Sequence, residues 1–531
     1  MCQIPVDRAF PSTVSPSLLP IIAHARAGAL DHALRLFHDA GLDAVDDDPA
    51  VLALKGRLLK DQARRATGEA RRALYARSAE AYGAAGAIGW ATYPLINAAS
   101  LSLLAGEPER ARALAEKVLA RLDQGDSEPD TPYWREATRA EAELLLGRTQ
   151  ESWLTLQGAI ALAPRAWEDH AATLRQFALI LAEQGEDVAW LEPLRPPRSL
   201  HFAGQLGTDP ADADLGRRVA ELLEVERIGF GFGALAAGAD IVIAEALLDR
   251  GAELHLLLPA PQAMFRERSV GGLGAEWLPR FDKVVAAANT VTCVADRLDR
   301  LGVTLAARAA MGRAAMQARL LATEAIQLLA PDAAEPVEAG GSGWVKAVWE
   351  GAGRRTLVLP APRAQVVTGG LPAPAGESRA VLALDAGAGG DLSGRLEALW
   401  SALDGTDAAL AAPPVWTGSA VMLSFLSCFA AAKAARAVAP VLGEGRIAAD
   451  VGEVVEVAGP GGAVLRVGTP VETAGRLLAS APPGAALVSE LFAWVLGSET
   501  DAPWCPCEPI GELPARSPGG KDVPVYSLEL S

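Results

Sequence analysis

A single stretch from Arg227 to Pro259 restricts the fold of this chain more than any other part of its sequence. An apolar run at 227–232 predicts a strand, a Gly-rich turn follows at 233–238, and apolar residues at helical spacing over 241–250 predict a helix. A second apolar run at 254–258 predicts another strand. Such a strand–helix–strand unit belongs to a parallel sheet, whose ligands bind where a strand leads into a helix.

Length, charge and cysteine content narrow the class of protein. The 531 residues exceed one ordinary domain, so several are expected. The net charge of -17 excludes broad binding of nucleic acid or anionic membranes, since no basic surplus neutralises phosphates. Five sparse Cys residues predict a reduced compartment without a disulfide framework.

The chain start does not have the pattern of a signal peptide, and Lys433 and Arg436 interrupt the apolar run at 421–440. We therefore expect a cytoplasmic protein without a membrane span.

Residues 15–194 are helical in pattern and repeat. Glycines separated by 40, 38, 41 and 38 residues mark turns, and four of them have a small residue five places later. The glycines are Gly28, Gly68, Gly106, Gly147 and Gly185, and the small residues are Ala33, Ala73, Ala111 and Ser152. This period predicts an array of helix–turn–helix units that binds a protein partner. It resembles tetratricopeptide repeats with longer connections; an irregular helical bundle is the alternative.

Stretches rich in Pro, Gly, Ala and Ser divide the rest of the chain. The predicted organisation is a tail at 1–14, the repeats at 15–194, an α/β domain at 195–352, a linker at 353–378 and an α+β domain at 379–531. Within the α/β domain, the sequence predicts a long Ala-rich helix at 305–329 and an edge strand at 345–349. The fold class is therefore multidomain, with a helical solenoid followed by two domains that contain sheets.

Glycines surround the turn of the strand–helix–strand unit without completing a nucleotide-binding motif. A P-loop needs Lys and Ser or Thr after Gly238, where the chain has Ala239 and Asp240. The dinucleotide motif fits only as its Ala variant from Gly231 to Ala236. The turn can still offer N–H groups and a helix dipole to an anion, and Asp240 either caps the helix or holds a ribose hydroxyl. The predicted ligand-binding residues are Gly204, Gly229, Gly231, Gly233, Gly238, Asp240 and Glu245.

The segment GFGALAAGADIVIAEALLDRGAELHLLLP resembles the SLOG superfamily, the nucleotide-binding Rossmann-like domains related to cytokinin-activating LOG proteins and DprA. It is most similar to the SLOG-type segment between repeats and a cyclase domain in some bacterial signalling proteins. The resemblance implies a nucleotide or nucleotide-derived ligand held by 229–240, with Gly204 nearby. The chain has no PGGxGTxxE motif, so the phosphoribohydrolase activity of the LOG enzymes is not implied.

The last region carries RAVLALDAG, WTGSAVMLSF, RIAADVGEV and VGTPVETAGRLLASAPPGAALVSE in order, and is similar to class III adenylate/guanylate cyclase domains. The resemblance implies a ferredoxin-like α+β fold. Active members hold two metal ions with two Asp residues and use an Asn and an Arg on one helix. The likeness places Asp385 at the first metal position and Arg476 at the Arg position. Because Ser419 replaces the second Asp and Glu472 replaces the Asn, the predicted site is degenerate.

Together the patterns favour a cytosolic signalling or scaffold protein. The repeats would bind a protein partner, the α/β domain a nucleotide-like ligand, and the cyclase-like domain would form a homodimer or regulate. No cofactor is certain for this function. A different hypothesis is a nucleotide hydrolase or glycosidase with Glu245 or Asp240 as general acid/base.

The main alternative is a divergent but active class III cyclase that makes a cyclic nucleotide with Mg²⁺ or Mn²⁺. Asp385 and Arg476 would act there as catalytic residues, with Asp385 as a metal ligand. The missing carboxylate would come from Glu444, Asp450 or Glu453. The sequence leaves the choice between ATP and GTP open.

Overall fold

The computed structural model describes residues 18–26, 28–89, 91–125, 131–332, 334, 340–365, 370–385, 392–417, 420–459, 464–501, 506–515 and 522–530. The chain forms two compact units, Met1–Pro196 and Pro197–Ser531. The described part of the first unit is helical, and the second contains two β-sheets. Across these described ranges, no helix is long and apolar enough to cross a membrane.

The first unit is built from helices that pack on one another. The helices are α1 Leu19–Arg26, α2 Leu30–Asp39, α3 Pro49–Arg65, α4 Gly68–Gly89, α5 Thr92–Leu104, α6 Pro108–Gln124, α7 Pro132–Leu145, α8 Thr149–Leu162 and α9 Trp167–Gln184. Each helix from α1 to α7 packs on the next along the chain, as in a helical repeat, while α9 packs on α5 and α7. Helix α5 is buried on almost every side, because its sequence is apolar or small throughout.

The five periodic glycines all adopt the left-handed conformation, with φ between +59° and +86°. Several close the preceding helix with a backbone bond across the turn: the N–H of Glu107 donates to the carbonyl of Ser102 at 2.9 Å, and that of Arg148 to Glu143 at 3.0 Å. A residue with a Cβ is strained in this conformation, so glycine is favoured at these turns. The predicted helix–turn–helix period is confirmed.

The prediction that four small residues lie at close helix contacts is wrong for one of them. Ala73 is exposed, whereas the other three are buried. Helix α4 is long, and its close contact with α3 comes later, where a Cβ on Gly56 would lie 2.6 Å from the ring of Tyr82. The hydroxyl of Ser78 also donates to the carbonyl of Gly56 at 2.6 Å.

The second unit begins with a parallel sheet. Its strands are β1 Arg198–Gly204, β2 Ile228–Gly233, β3 Glu253–Leu258, β4 Thr290–Cys293, β5 Ala325–Ala330 and β6 Thr356–Val358. The order is β4-β3-β2-β1-β5-β6, so the strand order reverses between β1 and β5. The helices are α10 Ala213–Val225, α11 Ala239–Asp249, α12 Gln262–Phe265, α13 Trp277–Ala287, α14 Arg300–Leu320 and α15 Gly340–Gly351. The predicted strand–helix–strand unit is present as β2, α11 and β3.

Three local predictions in this region differ from the structure. The helix predicted at 305–329 ends at Leu320, and 325–330 is the buried strand β5. Ala322 has a φ of +53°, which stops the helix, and a mostly apolar run buried on both faces fits a parallel strand equally well. The strand predicted at 345–349 lies in helix α15, and the predicted linker contains strand β6.

The last part of the second unit is a mixed sheet with the order β13-β14-β12-β10-β7-β9-β8, and β11 pairs with β10. Its strands are β7 Glu377–Asp385, β8 Ala412–Thr417, β9 Ala420–Phe425, β10 Arg446–Ala458, β11 Val464–Val467, β12 Ala486–Ser489, β13 Cys507–Leu513 and β14 Val523–Leu528. The helices are α16 Leu392–Asp404, α17 Cys428–Leu442, α18 Thr469–Ser480 and α19 Glu490–Glu499.

Alternation along β7 assigns these helices to the two faces of the sheet. Leu382 and Leu384 pack with α17 and α19 in one core cluster. Val381 and Ala383 pack with α18 in another. Successive side chains of a strand point to opposite faces, so α18 lies alone among these three helices on its side of the sheet.

Candidate functional site

The glycines predicted to hold a ligand lie where backbone elements pack without room for a Cβ. A Cβ on Gly231 would lie 2.4 Å from Leu247, and one on Gly233 would lie 2.7 Å from the ring of Phe202. The remaining contacts are Gly204 with Ala239, Gly229 with Pro197 and Gly238 with the carbonyl of Gln205. Packing alone therefore accounts for glycine at these positions, and their contact with a ligand stays a prediction.

Asp240 lies in the first turn of α11 and is buried. Its Oδ1 accepts from the N–H of Gly204 at 2.6 Å, and its Oδ2 from the N–H of Ala236 at 3.1 Å. Burial raises the pKa of this carboxyl to about 7, against the opposing effect of the two N–H donors. The N–H of Ala239 donates to the carbonyl of Gln205 at 3.1 Å. Oxygen atoms of the chain itself thus occupy the turn where the sequence predicts an anion.

Glu245 lies on the opposite side of α11 in an ion pair with Arg280. The guanidinium Nε lies 2.9 Å from Oε1, and Nη1 donates to the carbonyl of Pro210 at 2.9 Å. The same guanidinium lies 4.5 Å from the ring centre of Trp277. The pair borders an open pocket of about 540 Å³ between α10 and α11. Glu245 and Asp240 therefore belong to separate surroundings and do not form one acid/base pair.

The reversal of strand order between β1 and β5 creates the crevice where ligands bind in open parallel sheets. Arg363 lies at this crevice, with its Nε 2.9 Å from the carboxylate of Asp332 and 3.3 Å from Oε1 of Gln205. The amide of Gln205 donates to the carbonyl of Ala361. Sequence reasoning missed these side chains, because no motif surrounds them and Arg363 falls in the predicted linker.

Helices α14 and α19 join the two sheets of the second unit. A Cβ on Gly312 would lie 1.5 Å from the carbonyl oxygen of Trp494, so the two backbones touch. The guanidinium of Arg313 lies 5.0 Å from the ring centre of Trp494 and donates to Thr290 at 2.9 Å. Arg308 forms an ion pair with Glu499. The parallel sheet and the mixed sheet are therefore connected through one helix of each domain.

A further arginine holds the carboxyl end of α19. Arg354, whose side chain is 5% exposed, donates to the carbonyls of Gly497 at 2.8 Å and Thr500 at 3.3 Å and pairs with Asp501. The last carbonyls of a helix have no partner within it, and a guanidinium can satisfy several at once. Arg308, Arg313 and Arg354 together are named the α19 clamp. No sequence motif marks them.

The predicted metal ligand Asp385 is the last residue of β7. It is half-buried and lies opposite Arg446 of β10 and Ala420 of β9. Its predicted partner Ser419 lies outside the described residues. A Cβ on Gly445 would lie 2.8 Å from the carbonyl oxygen of Asp385, so the two backbones are in contact. The exposed Glu444 is the residue before Gly445 in the chain. Of the three proposed substitute carboxylates, Glu444 is the nearest in sequence to the start of β10, the end of that strand that pairs with Asp385.

The other two substitutes, Asp450 and Glu453, are too far along β10 to share a metal ion with Asp385 within one chain. They lie opposite Val381 and Ser378, roughly 13 and 23 Å from the end of β7 at the rise of a strand. Glu453 pairs with Arg297 at 2.7 Å. In the part of the chain that the structure describes, no three His, Cys, Asp or Glu residues form a group suited to a metal ion.

Asp450 is a buried carboxyl with its own hydrogen-bond partners. It accepts from the N–H of Val451 at 2.8 Å and from the hydroxyl of Ser489. Burial raises its pKa to about 6, although these donors and Thr473 act in the opposite direction. Ser489 ends β12 and caps α19, so Asp450 connects β10 to the start of that helix.

Arg476 and Glu472 lie one turn apart on α18, and Glu472 is exposed. The guanidinium of Arg476 donates to the carbonyl of Pro514 at 2.6 Å. Pro514 follows β13, which is four strands away from β7 in the sheet order. In this chain the guanidinium of Arg476 is therefore held by the segment after β13.

An exposed apolar surface lies on the β10–β11 hairpin. Val457 lies opposite Leu465, and Val467 follows on the same face of the ribbon; they are 44%, 50% and 49% exposed. These three residues are named the hairpin patch. Arg466, between two of them, pairs with Glu456 at 2.9 Å and reaches the carbonyl of Pro413 at 2.9 Å. Adjacent exposed apolar side chains of this kind make the hairpin a candidate interaction surface.

Comparison with known proteins adds a family match for the helical unit. Residues 19–102 match the family described as TPR-S, Tetratricopeptide Repeats-Sensor, which supports the repeat interpretation of the first helices. None of the curated proteins matches this chain in sequence.

Solved structures show weak likenesses. Adenylate cyclases from Trypanosoma brucei in their monomeric state are 13% identical over 30% of this chain and 90% of theirs, with a TM-score of 0.25. The adenylyl cyclase CyaB from P. aeruginosa is 15% identical over 29% of this chain and 93% of its own, with a TM-score of 0.23. An O-GlcNAc transferase mutant from Thermobaculum terrenum is 13% identical over 58% of each chain, with a TM-score of 0.19. Scores and identities this low carry no argument about function.

Proposed function

We propose that this chain is a regulatory scaffold that forms a homodimer through its C-terminal domain and binds a protein partner through its helical repeats. The match to a family described as a sensor built from tetratricopeptide repeats supports the role of the repeats. Such arrays generally bind partners and seldom carry out chemistry.

The observation that carries the proposal is the hairpin patch. Helix α14 of the parallel-sheet domain packs on α19. Because α19 and α18 lie on opposite faces of the mixed sheet, α14 lies on the face opposite α18. The patch remains about half exposed in the folded chain. A second copy presents the same three apolar side chains beside the same Glu456–Arg466 pair, and a two-fold axis would place apolar surface against apolar surface.

Sedimentation velocity of the full-length chain tests this proposal. Leu465→Asp introduces a charge into the patch and is expected to convert a dimer into a monomer at micromolar concentration. Val225→Asp is the matched control, because Val225 is a single apolar residue that is 79% exposed on α10. A monomeric unsubstituted chain, or equal dimerisation of both variants, would contradict the proposal.

The ligand of the parallel-sheet domain is proposed to be nucleotide-like and to bind in the crevice between β1 and β5. The reversal of strand order there and the side chains of Arg363 and Gln205 support this position. The guanidinium could bind a phosphate, and the amide could recognise a base or ribose edge. Calorimetry of the full chain against AMP, ATP, GTP and their cyclic forms tests it; no heat with any of them would exclude this part.

A second candidate function is cyclisation of a nucleoside triphosphate. The contact of Gly445 with the backbone of Asp385 supports it, because Glu444 precedes Gly445 and would supply, with Asp385, two carboxylates for Mg²⁺ or Mn²⁺. Arg476 would act from the second chain of the dimer. An assay with ATP or GTP and Mn²⁺ decides between the two functions. Product formation that Asp385→Ala abolishes would establish the cyclase, and equal background in both proteins would exclude it.

A further inference from the structure

A short segment of the chain covers the crevice at the carboxyl ends of β1 and β5. Residues Leu359–Gln365 are named the strap. The N–H of Leu359 donates to the carbonyl of Leu329 at 2.8 Å, and that of Ala361 to Pro331 at 2.9 Å. At its other end, the N–H groups of Ala364 and Gln365 donate to the carbonyl of Gly207, at 2.9 and 3.1 Å.

Side chains add to this backbone pairing from both sides of the crevice. Gln205, from the loop after β1, donates to the carbonyl of Ala361 in the strap. Arg363, in the strap, pairs with Asp332, from the loop after β5. The strap thus makes the contacts at the strand-order reversal that a small-molecule ligand makes in other open parallel sheets. The crevice is occupied by its own chain.

The closed crevice leaves one polar group unsatisfied. Thr208 lies opposite Arg363 and is fully buried, yet its hydroxyl has no hydrogen-bond partner in the described part of the chain. Leaving a buried hydroxyl unpaired is unfavourable, because the hydrogen bonds it made with water are lost. A ligand or water that entered in place of the strap would find an unused hydrogen-bonding group there.

The described chain resumes at residue 370, between the strap and the mixed sheet in sequence. Pro372, a few residues beyond it, accepts from the N–H of Arg300 at the start of α14, at 3.3 Å. The N–H of Gly376 donates to Glu453 of β10 at 2.7 Å, and β7 begins at the next residue. Glu453 also binds Arg297, from the loop before α14. The segment that follows the strap in sequence therefore contacts α14 and β10 just before β7 begins.

We propose that the strap is an autoinhibitory occupant of the crevice, whose release opens the site and loosens the start of β7. The proposal rests on the ligand-binding function proposed for the crevice, and it adds a route from that crevice to the dimerising domain. The ligand class stays the nucleotide-like one: its phosphate would compete with Asp332 for the guanidinium of Arg363, and its base or ribose would compete with the carbonyl of Ala361 for the amide of Gln205.

Hydrogen–deuterium exchange of the full-length chain, with no ligand added, tests the strap itself. Arg363→Ala removes the ion pair with Asp332, and Asp332→Asn removes it from the other side if the first variant does not fold. Both are expected to speed exchange of the strap amides at 361, 364 and 365 at least tenfold. Exchange at 376–378 is expected to rise with them, while the buried strand β3 keeps its rate.

The matched control is Arg217→Ala, on the exposed face of α10, where Arg217 pairs only with neighbours on its own helix among the contacts described. This variant should leave the strap and β7 unchanged. Unaltered strap exchange in both crevice variants would overturn the autoinhibitory contact, and faster strap exchange without any change at 376–378 would overturn the coupling to β7. Because no ligand is present, these outcomes do not depend on whether a nucleotide binds in calorimetry.

Discussion

The carbonyl oxygen of Trp494 lies 1.5 Å from the position that a Cβ on Gly312 would take. Helices α14 and α19 therefore meet backbone to backbone, and neither can shift without opening the contact between the two sheets of the second unit. Leu257, Ala309 and Ala310 pack around the same tryptophan.

Substitution of Gly312 by Ala is expected to destabilise the second unit by about 3 kcal/mol, since a backbone atom cannot move aside as a flexible side chain can. Urea unfolding followed by tryptophan fluorescence measures the change. Gly216→Ala is the control: Gly216 also lies within a helix, and its nearest neighbour is Val242 at 3.9 Å. Equal unfolding midpoints for the two variants would show that the helices do not touch as described.

The α19 clamp gives a second prediction. Arg354→Ala leaves several buried carbonyls at the end of α19 without a donor, and is expected to lower the free energy of unfolding by about 2–4 kcal/mol. Arg355→Ala, at the next position, removes ion pairs of a side chain that is 40% exposed. Its expected effect is about 1 kcal/mol or less. Similar losses from both variants would show that Arg354 does not hold the end of α19.

The pH dependence of stability tests the surroundings of Asp450. Its folded-state pKa of about 6 lies above the ordinary value of 3.8, so the folded chain holds a proton there that the unfolded chain releases earlier. The associated stability is fully present below the ordinary pKa and is lost as the pH rises through 6. The Asp450→Asn variant has a side chain that cannot ionise, so its stability should not fall in this way as the pH rises.

The difference between wild type and Asp450→Asn is therefore expected to change across about pH 4–6, by roughly 3 kcal/mol at most, and to stay constant above that range. Chemical unfolding at a series of pH values measures it. Asp249→Asn, at an exposed position, serves as the control. A difference that is flat across the window would mean that the carboxyl of Asp450 is solvated.

The turn glycines of the repeats provide a matched pair within the first unit. Gly147 has a φ of +74° and open space where a methyl group would lie, so Gly147→Ala is expected to cost about 1–2 kcal/mol through backbone strain alone. Gly158 lies in α8, also with open space, and Gly158→Ala is expected to be neutral or to stabilise by up to about 1 kcal/mol. Circular dichroism during urea unfolding distinguishes them; a harmless Gly147→Ala would contradict the left-handed turn.

Much of the architecture could be predicted from local patterns. Turn glycines such as Gly106 must adopt a conformation that other residues avoid, so their spacing reported the helical repeat directly. The run at 227–259 changes from one apolar period to another within a few residues, and it forms β2, α11 and β3. By contrast, the run at 325–330 is apolar except for Gln327, and periodicity cannot separate a doubly buried strand from a buried helix.

The candidate site was harder to predict because its side chains come together only in three dimensions. Arg363 and Gln205 are 158 residues apart in the chain. Arg354 contacts carbonyl groups of α19, and any sequence that forms a helix would supply those acceptors. The glycines around β2 stood out in the sequence for the opposite reason. Tight packing of a strand against a helix requires the same residue as a close approach to a phosphate does.

Thiol cross-linking through the hairpin patch is the sharpest test of the proposed dimer. The full-length chain with Leu465→Cys is treated with a short bis-maleimide, beside the unsubstituted chain and Val225→Cys as controls for the native and exposed cysteines. We expect a covalent dimer that forms with Leu465→Cys well beyond the level of either control, and that Val457→Asp on the same chain suppresses. Equal cross-linking in all three proteins, at a concentration where sedimentation shows a dimer, would contradict a dimer interface at the hairpin.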